Sequence, residues 1–454
     1  MTLRRLLFVL LLAALVWLGL VTFRVGPSPE AEIATDLPGI GRSTTATATF
    51  REPVRGLGKI RLELTQGERS EVVAEAEFTP RPAWRFWGAR TPEATLEANV
   101  GRDAVEWLRQ GSALLRAVAE PPGTWLRRPV ASVTERELAV RLSPPPLAVL
   151  SDRHYPAQGG SEVVVYTVGD TSVRDGVEAG SWFFSGHPLP GGGPRQRFAL
   201  YGVPFDLDDP AALRLIAEDD VGNRATASFV DRFFPHAFKT DDIEISERFM
   251  ASVVPEIQAQ TPGLAASGDL LADYLEINRD VRRRNAQTLI ELAEASRDAF
   301  LWSAPFQTMP NAQVMSAFAD RRTYLFAGRE VDRQDHLGFD LASVQRAPIP
   351  AANDGVVALA GYFGIYGNAV VLDHGFGLMS LYGHLSSIAV NAGQPVVRGQ
   401  EIGRSGATGL AAGDHLHFTF LLGGLAVNPV EWWDAAWIRD RIARKLGPGL
   451  PYSP

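Results

Sequence analysis

Two short motifs far apart in the chain constrain its fold most. His336 and Asp340 stand four residues apart in HLGFD, and seventy-five residues beyond Asp340 comes HLH, with His415 and His417. Imidazoles and a carboxylate form a metal site only if they converge, so the intervening chain has to fold into something rigid. A sheet is a suitable carrier, because it holds groups from distant positions with little backbone freedom. In a strand alternate side chains share a face, so His415 and His417 emerge on one side, about 6–7 Å apart along it. One can bind metal while its neighbour faces an open coordination position. A catalytic zinc keeps three protein ligands and a water whose pKa falls to about 7. This donor set implies hydrolysis. Gly338 lets the backbone bend between the first two candidate ligands, and a further histidine, His384, sits in the strand-like LYGHLS between the motifs.

With these residues in view, residues 318–433 resemble the catalytic domain of the LytM/lysostaphin-like zinc endopeptidases, which cut peptide bonds in bacterial peptidoglycan. The family's H-x-G-x-D is matched by His336, Gly338 and Asp340, and its Y-x-H-L by Tyr382, His384 and Leu385. H-L-H-F is matched by His415, Leu416, His417 and Phe418, after the glycine-rich run Ser405–Gly413. The resemblance implies one zinc ion per chain, held by His336, Asp340 and His417. It implies that His384 and His415 are catalytic without being ligands, orienting the attacking water and stabilising the oxyanion. Which of them does which stays open. It also places Asn368, in GNAVVLDHG, near the substrate groove. Two departures stand out: Asp414 where proline is common, and Thr419 where an acidic residue often follows HLHF. Neither removes a ligand, and strand alternation points Asp414 away from the site.

The other histidines lack companion donors. His374, in LDHG, reads as structural or surface, and His154, His187 and His236 are assigned no function. The formal net charge of −8 gives no electrostatic footprint for nucleic acid. No cysteine occurs, which removes disulfides, Cys-type zinc sites and acylated-cysteine anchors. Hydrophobic content of 46% with 21% charged residues supports folded cores.

The N-terminus sets the compartment. Arg4 and Arg5 precede an uncharged run from Leu6 to Phe23, and eighteen helical residues rise about 27 Å, close to the hydrocarbon thickness of a bilayer. A cleaved signal has a shorter apolar core of about 7–15 residues and a small-residue cleavage site, and none follows Phe23. The reading is a retained single-pass anchor, with Arg4 and Arg5 in the cytoplasm and the bulk of the chain on the periplasmic side.

The expected architecture is therefore multi-domain and mainly β. It comprises a transmembrane anchor at 1–24, two immunoglobulin-like β-sandwich modules at 35–143 and 144–236, and a helical connector at 239–303. An antiparallel-β LytM-like peptidase domain at 304–440 and a tail at 441–454 complete it. The sandwich modules could engage an envelope protein partner, and the basic run Arg282–Arg284 reads as an exposed helix face. Two alternatives compete with an active peptidase. One is a non-catalytic LytM-like activator of another wall hydrolase, which would lack ligands that are all present here. The other is a membrane-fusion-type export adaptor, suggested by the lipoyl-like hairpin VNAGQPVVRGQEIG but leaving the three histidine motifs unused.

Overall fold

The computed structural model describes residues 3–452. Met1, Thr2, Ser453 and Pro454, at the ends of the expected anchor and tail, lie outside the described residues. The chain is mainly β, and among the described residues one helix is long and apolar enough to cross a membrane, α1 (Leu3–Phe23). α1 carries no acidic residue and is exposed along nearly its whole length. It stops ahead of Gly26 and Pro27, where a fixed ring and a missing N–H cannot extend a helix.

Chain contacts divide the molecule into two compact units. The first contains residues 1–145, 171–173 and 218–225. Its sandwich pairs a three-stranded sheet (Glu30–Thr35, Thr45–Arg51, Glu93–Asn99) with a four-stranded one (Arg69–Glu77, Lys59–Gln66, Gly111–Ala119, Ser132–Val140). The alternation legible in TATATF and KIRLEL sets the inner faces: Ala46, Ala48 and Phe50 meet Ile60, Leu62 and Leu64 in one core.

The second unit contains residues 146–170, 174–217 and 226–454. The tail expected at 441–454 begins in helical turns. Residues Ile438–Ala443 and Arg444–Leu446 are helical, and Lys445 donates to Glu162 at 2.6 Å, with both side chains almost wholly buried. Burial pushes the Glu162 carboxyl up and the Lys445 ammonium down, so each charge depends on the other. Lys445→Met is therefore expected to destabilise this unit by about 3–5 kcal/mol, read from urea unfolding. The double variant Lys445→Met/Glu162→Gln should lose clearly less. Equal losses would mean that the ion pair is irrelevant.

The peptidase region is built on an antiparallel sheet. Its order is Gln313–Ser316, Phe339–Ala342, Leu416–Leu422, Leu378–Leu385, Asn368–Asp373, Gly355–Tyr362 and Pro395–Val396, with Leu425–Val427 pairing Leu416–Leu422. The two central strands are buried at every position, because both sheet faces are covered. On one face Phe418 and Phe420 pack on Trp433 and Trp432. Alternation then turns His417 and Thr419 to the opposite face. The run read as a hairpin is not one: Pro395–Val396 pairs with Gly355–Tyr362, while Glu401–Arg404 pairs with Pro348–Pro350 and Ser387–Ile388.

The helical segment does more than connect. Thr240–Glu244 adds a parallel strand beside Asp320–Phe326. α2 (Glu247–Gln260) follows, capped by Ser246, whose hydroxyl accepts from Phe249 N at 3.1 Å. α3 (Leu270–Glu276) leads through a π-turn at Ile277–Val281 into α4 (Arg282–Glu294). Val254, Ile257, Tyr274, Ile277 and Val281 pack with Tyr324 and Ile365 of the peptidase region. The apolar stripe of these helices is thus spent on the flank of the sheet that carries the motifs.

Candidate metal centre and flanking histidines

Strand register assembles the motifs. Asp340 pairs with His417 across one strand boundary, and Gly383 pairs with His417 across the next. His336 ends the strand Arg329–His336, and the turn at Leu337–Gly338 brings it back over Asp340. Asp340 Oδ1 lies 3.0 Å from His336 Nε2 and 3.0 Å from His417 Nδ1, and those two nitrogens are 3.1 Å apart. Donors at about 2.05 Å from a tetrahedral ion would stand about 3.3 Å from one another. The spacing fits.

The protons fit as well. His336 Nδ1 lies 2.9 Å from the Ala317 carbonyl, which can only accept, so the proton sits on Nδ1 and Nε2 carries a lone pair. The Thr419 hydroxyl donates to the Leu337 carbonyl at 2.9 Å and therefore accepts from His417 Nε2, also at 2.9 Å. His417 Nδ1 is left unprotonated. Three acceptors thus face one point, with His415 Nε2 further off at 3.4 Å from Asp340 Oδ1, an arrangement that suits a cation. Arg322 Nη2 donates to Asp340 Oδ2 at 3.0 Å and to Ser316 Oγ at 2.8 Å, which leaves Oδ1 as the carboxylate's free donor. His336, Asp340 and His417 can hold a divalent ion of the zinc type.

His384 and His415 stand beside this trio. His384 Nδ1 donates to the Thr408 carbonyl and His415 Nδ1 to the Gly413 carbonyl, both at 2.8 Å, so each turns its Nε2 edge inward. Their ring centroids are 4.8 Å apart, and His384 lies 5.7 Å from His417. His384 adopts φ of +62°, a left-handed conformation uncommon outside glycine, and such strain concentrates at functional sites. Burial, and then the neighbouring His415 and His417, hold the His384 pKa well below the usual imidazole value. Burial lowers His417 to about 4. Burial acts most strongly to lower His415, but the bond to Asp340, the Asp340 charge and the Gly413 carbonyl together raise it. Burial works against the Asp340 charge, yet bonds to His336, His415 and His417 keep its carboxyl far below the ordinary range.

The five histidine-motif residues line one cavity of about 390 Å³. Phe249, Tyr274 and Arg282 of the helical segment line it too, with Arg322, Tyr324 and Tyr366. Arg282 accordingly departs from the exposed basic face expected for Arg282–Arg284: it is partly buried and donates to Asn278. Asn368 does not line the cavity, and its amide is spent on the Leu385 carbonyl at 3.1 Å. Asp414 accepts from Ser405 Oγ and Arg346 N, away from the donors. His374 is buried between the Asp354 carbonyl and Ser380 Oγ. Thr419 was legible in principle, two residues beyond His417 on the same strand face. Arg322 had no motif to mark it, since only the strand pairing brings it to Asp340.

Gly338 has a steric duty besides bending. A Cβ there would sit 2.7 Å from His417 Cε1, His417 Nε2 and Thr419 Oγ1. Gly338→Ala is expected to displace the His417 ring and weaken zinc binding, measured by competition with a chromophoric chelator. Unchanged affinity would show that the ring has room to retreat.

An antiparallel sheet bearing two imidazoles and a carboxylate around one point, flanked by two more imidazoles, defines a LytM/lysostaphin-like domain. Residues 334–429 match Peptidase family M23, and the C-terminal domain of this chain is a domain of that family. This region is 38% identical over 128 residues to an uncharacterized metalloprotease of Haemophilus influenzae, covering 28% of this chain and 26% of that one. It is 45% identical over 97 residues to the DD-carboxypeptidase/endopeptidase Mpg of Neisseria meningitidis, covering 21% and 22%. It is 39% identical over 119 residues to the peptidoglycan DD-endopeptidase ShyA of Vibrio cholerae, covering 26% and 27%. The chain thus spans about a quarter of the length of the curated relatives it matches. Among solved structures, the catalytic domain of lysostaphin from Staphylococcus simulans matches 32% of this chain and 96% of its own length, at 24% identity and a TM-score of 0.21.

Proposed function

We propose that this protein is a membrane-anchored zinc endopeptidase that hydrolyses peptide bonds in the stem or cross-link peptides of peptidoglycan. The observation that carries the reading is the meeting of three proton-free donors, His336 Nε2, Asp340 Oδ1 and His417 Nδ1, in a cavity with two further imidazoles. A zinc ion held there would polarise the scissile carbonyl and supply hydroxide at neutral pH. His384 and His415 stand outside the trio, with His415 Nε2 3.4 Å from Asp340 Oδ1. Either imidazole can accept the water's proton, and the other then donates to the oxyanion. Tyr274, Tyr324 and Tyr366 give the cavity apolar walls with polar tips, suited to an extended peptide.

The substrate follows from the company the domain keeps: ShyA is named a peptidoglycan DD-endopeptidase, and Mpg a DD-carboxypeptidase/endopeptidase. α1 would hold the enzyme in the membrane with Arg4 and Arg5 inside, leaving the two sandwich modules, read as immunoglobulin-like, and the peptidase on the wall side. There the modules could meet an envelope protein partner. The test is digestion of purified sacculi by the full-length protein in detergent, with fragments identified by mass spectrometry. Peptides newly separated by one added water per cut, abolished by a chelator and restored by zinc, are expected. Sacculi left intact by zinc-loaded protein would reject the assignment.

A further inference from the structure

Two loops of the first unit, residues 79–92 and 120–131, close around the end of α1. Thr22 is buried between them. Its carbonyl accepts from Thr124 Oγ1 at 2.8 Å and its hydroxyl from Trp125 Nε1 at 3.1 Å. Arg24 donates through Nη1 to the carbonyls of Ala83 at 3.0 Å and Arg85 at 3.2 Å, and its guanidinium lies 3.9 Å from the centre of the Phe86 ring. Arg55 Nη1 donates to the Arg24 carbonyl at 3.3 Å, and Arg127 sits 5.1 Å over Phe23. The last turn of the apolar helix is therefore clasped by the domain that follows it.

What these loops leave outside is unusual for a surface in water. Trp87 is 62% exposed, Trp125 66% and Leu126 61%, with Trp84 and Phe86 beside them. Single exposed apolar residues need no explanation, but several large ones concentrated in two adjoining loops mark an interaction surface. The charge is equally one-sided. Residues 79–92 and 120–131 contain five arginines, of which only Arg81 is buried, against a single carboxylate, Glu120, which Arg61 pairs at 3.4 Å. Tryptophan with arginine at the end of an apolar helix is the composition of a membrane interface, where rings settle at headgroup level and long cationic side chains reach phosphate.

We propose that these loops form a collar embedded in the headgroup layer of the bilayer crossed by α1. Trp84, Phe86, Trp87, Trp125 and Leu126 would enter the acyl boundary, with Arg85, Arg90, Arg127 and Arg128 on lipid phosphates. The occupant of the patch is a phospholipid surface. The collar rests on α1 being a retained anchor, and it adds that the first sandwich is seated on the membrane and not hung from it by a flexible stem.

The absence of native cysteine makes a clean test possible. Full-length protein with a single environment-sensitive fluorophore would be reconstituted into phosphatidylethanolamine/phosphatidylglycerol vesicles. Labels would sit at Ala89→Cys and Leu126→Cys, which leave the four collar rings in place, and at Leu15→Cys within α1. Glu68→Cys is the aqueous control, because it lies in the turn at the far end of strand Lys59–Gln66, about 23 Å from the collar end. Collar labels are expected to show blue-shifted emission and stronger quenching by shallow nitroxide lipids than by aqueous iodide. The label at 68 should show the reverse, and the label at 15 should respond to deep nitroxides. Collar labels quenched by iodide alone, with the label at 15 deep, would overturn the collar and leave the anchor standing. Labels shielded from both quenchers would indicate a protein occupant and overturn it too. A label at 15 that no lipid quenches would remove the anchor and the collar together.

Discussion

Full-length protein carrying Asp340→Ala is expected to purify with no stoichiometric zinc and no hydrolase activity, whereas the parent binds one ion per chain. The reason lies in what the carboxylate contributes. It brings the only negative charge to the trio, and its Oδ1 is the vertex shared by both 3.0 Å edges. Without it, two imidazoles with nitrogens 3.1 Å apart remain, and Arg322 points a half-buried guanidinium at an empty place. His336→Ala should lose the metal in the same way. Arg322→Met makes a graded comparison. It keeps all three ligands but frees Oδ2, and removal of such an outer partner typically weakens metal affinity by about 10–100-fold. Elemental analysis together with chelator competition distinguishes the three variants. Full zinc occupancy in Asp340→Ala would sink the proposed ligand set.

The second large effect separates chemistry from metal binding. His384→Ala and His415→Ala are expected to keep zinc near the parental stoichiometry while losing turnover by about 10²–10⁴-fold, the usual contribution of a positioned acid or base. Neither residue belongs to the converging trio, and both imidazoles are held by backbone carbonyls through Nδ1. Their loss should therefore remove proton transfer and oxyanion stabilisation while sparing the site's geometry. Sacculus digestion beside zinc analysis of the same preparations provides the readout. Parental activity from a zinc-replete His415→Ala protein would remove that histidine from the mechanism.

The sequence was most readable where one residue type carries its own geometry. HLGFD and HLH marked candidate donors because imidazole and carboxylate are the usual ligands of zinc and strand periodicity puts His415 and His417 on one face, while the choice of His417 over His415 came from the family resemblance. TATATF and KIRLEL were equally legible, since alternation is what a half-buried strand requires. The helical segment was harder to place. Its apolar stripe announced that it packs on something, but periodicity cannot say on what, and the partner proved to be the peptidase flank beside the cavity. The run Val390–Gly403 misled for a related reason: turn chemistry looks the same whether two short strands pair with each other or with different neighbours.

By itself, the sequence determined the donor chemistry, the apolar helix at the N-terminus and the β character of most of the chain. These follow from side-chain type and local spacing, which fold cannot alter. Only the tertiary structure decided that Thr419 and Ala317 set the imidazole tautomers, that Arg322 occupies one oxygen of Asp340, and that Tyr274 and Arg282 help wall the cavity. Each of those contacts joins residues that approach one another only after strands and helices have packed, so no window along the chain contains them.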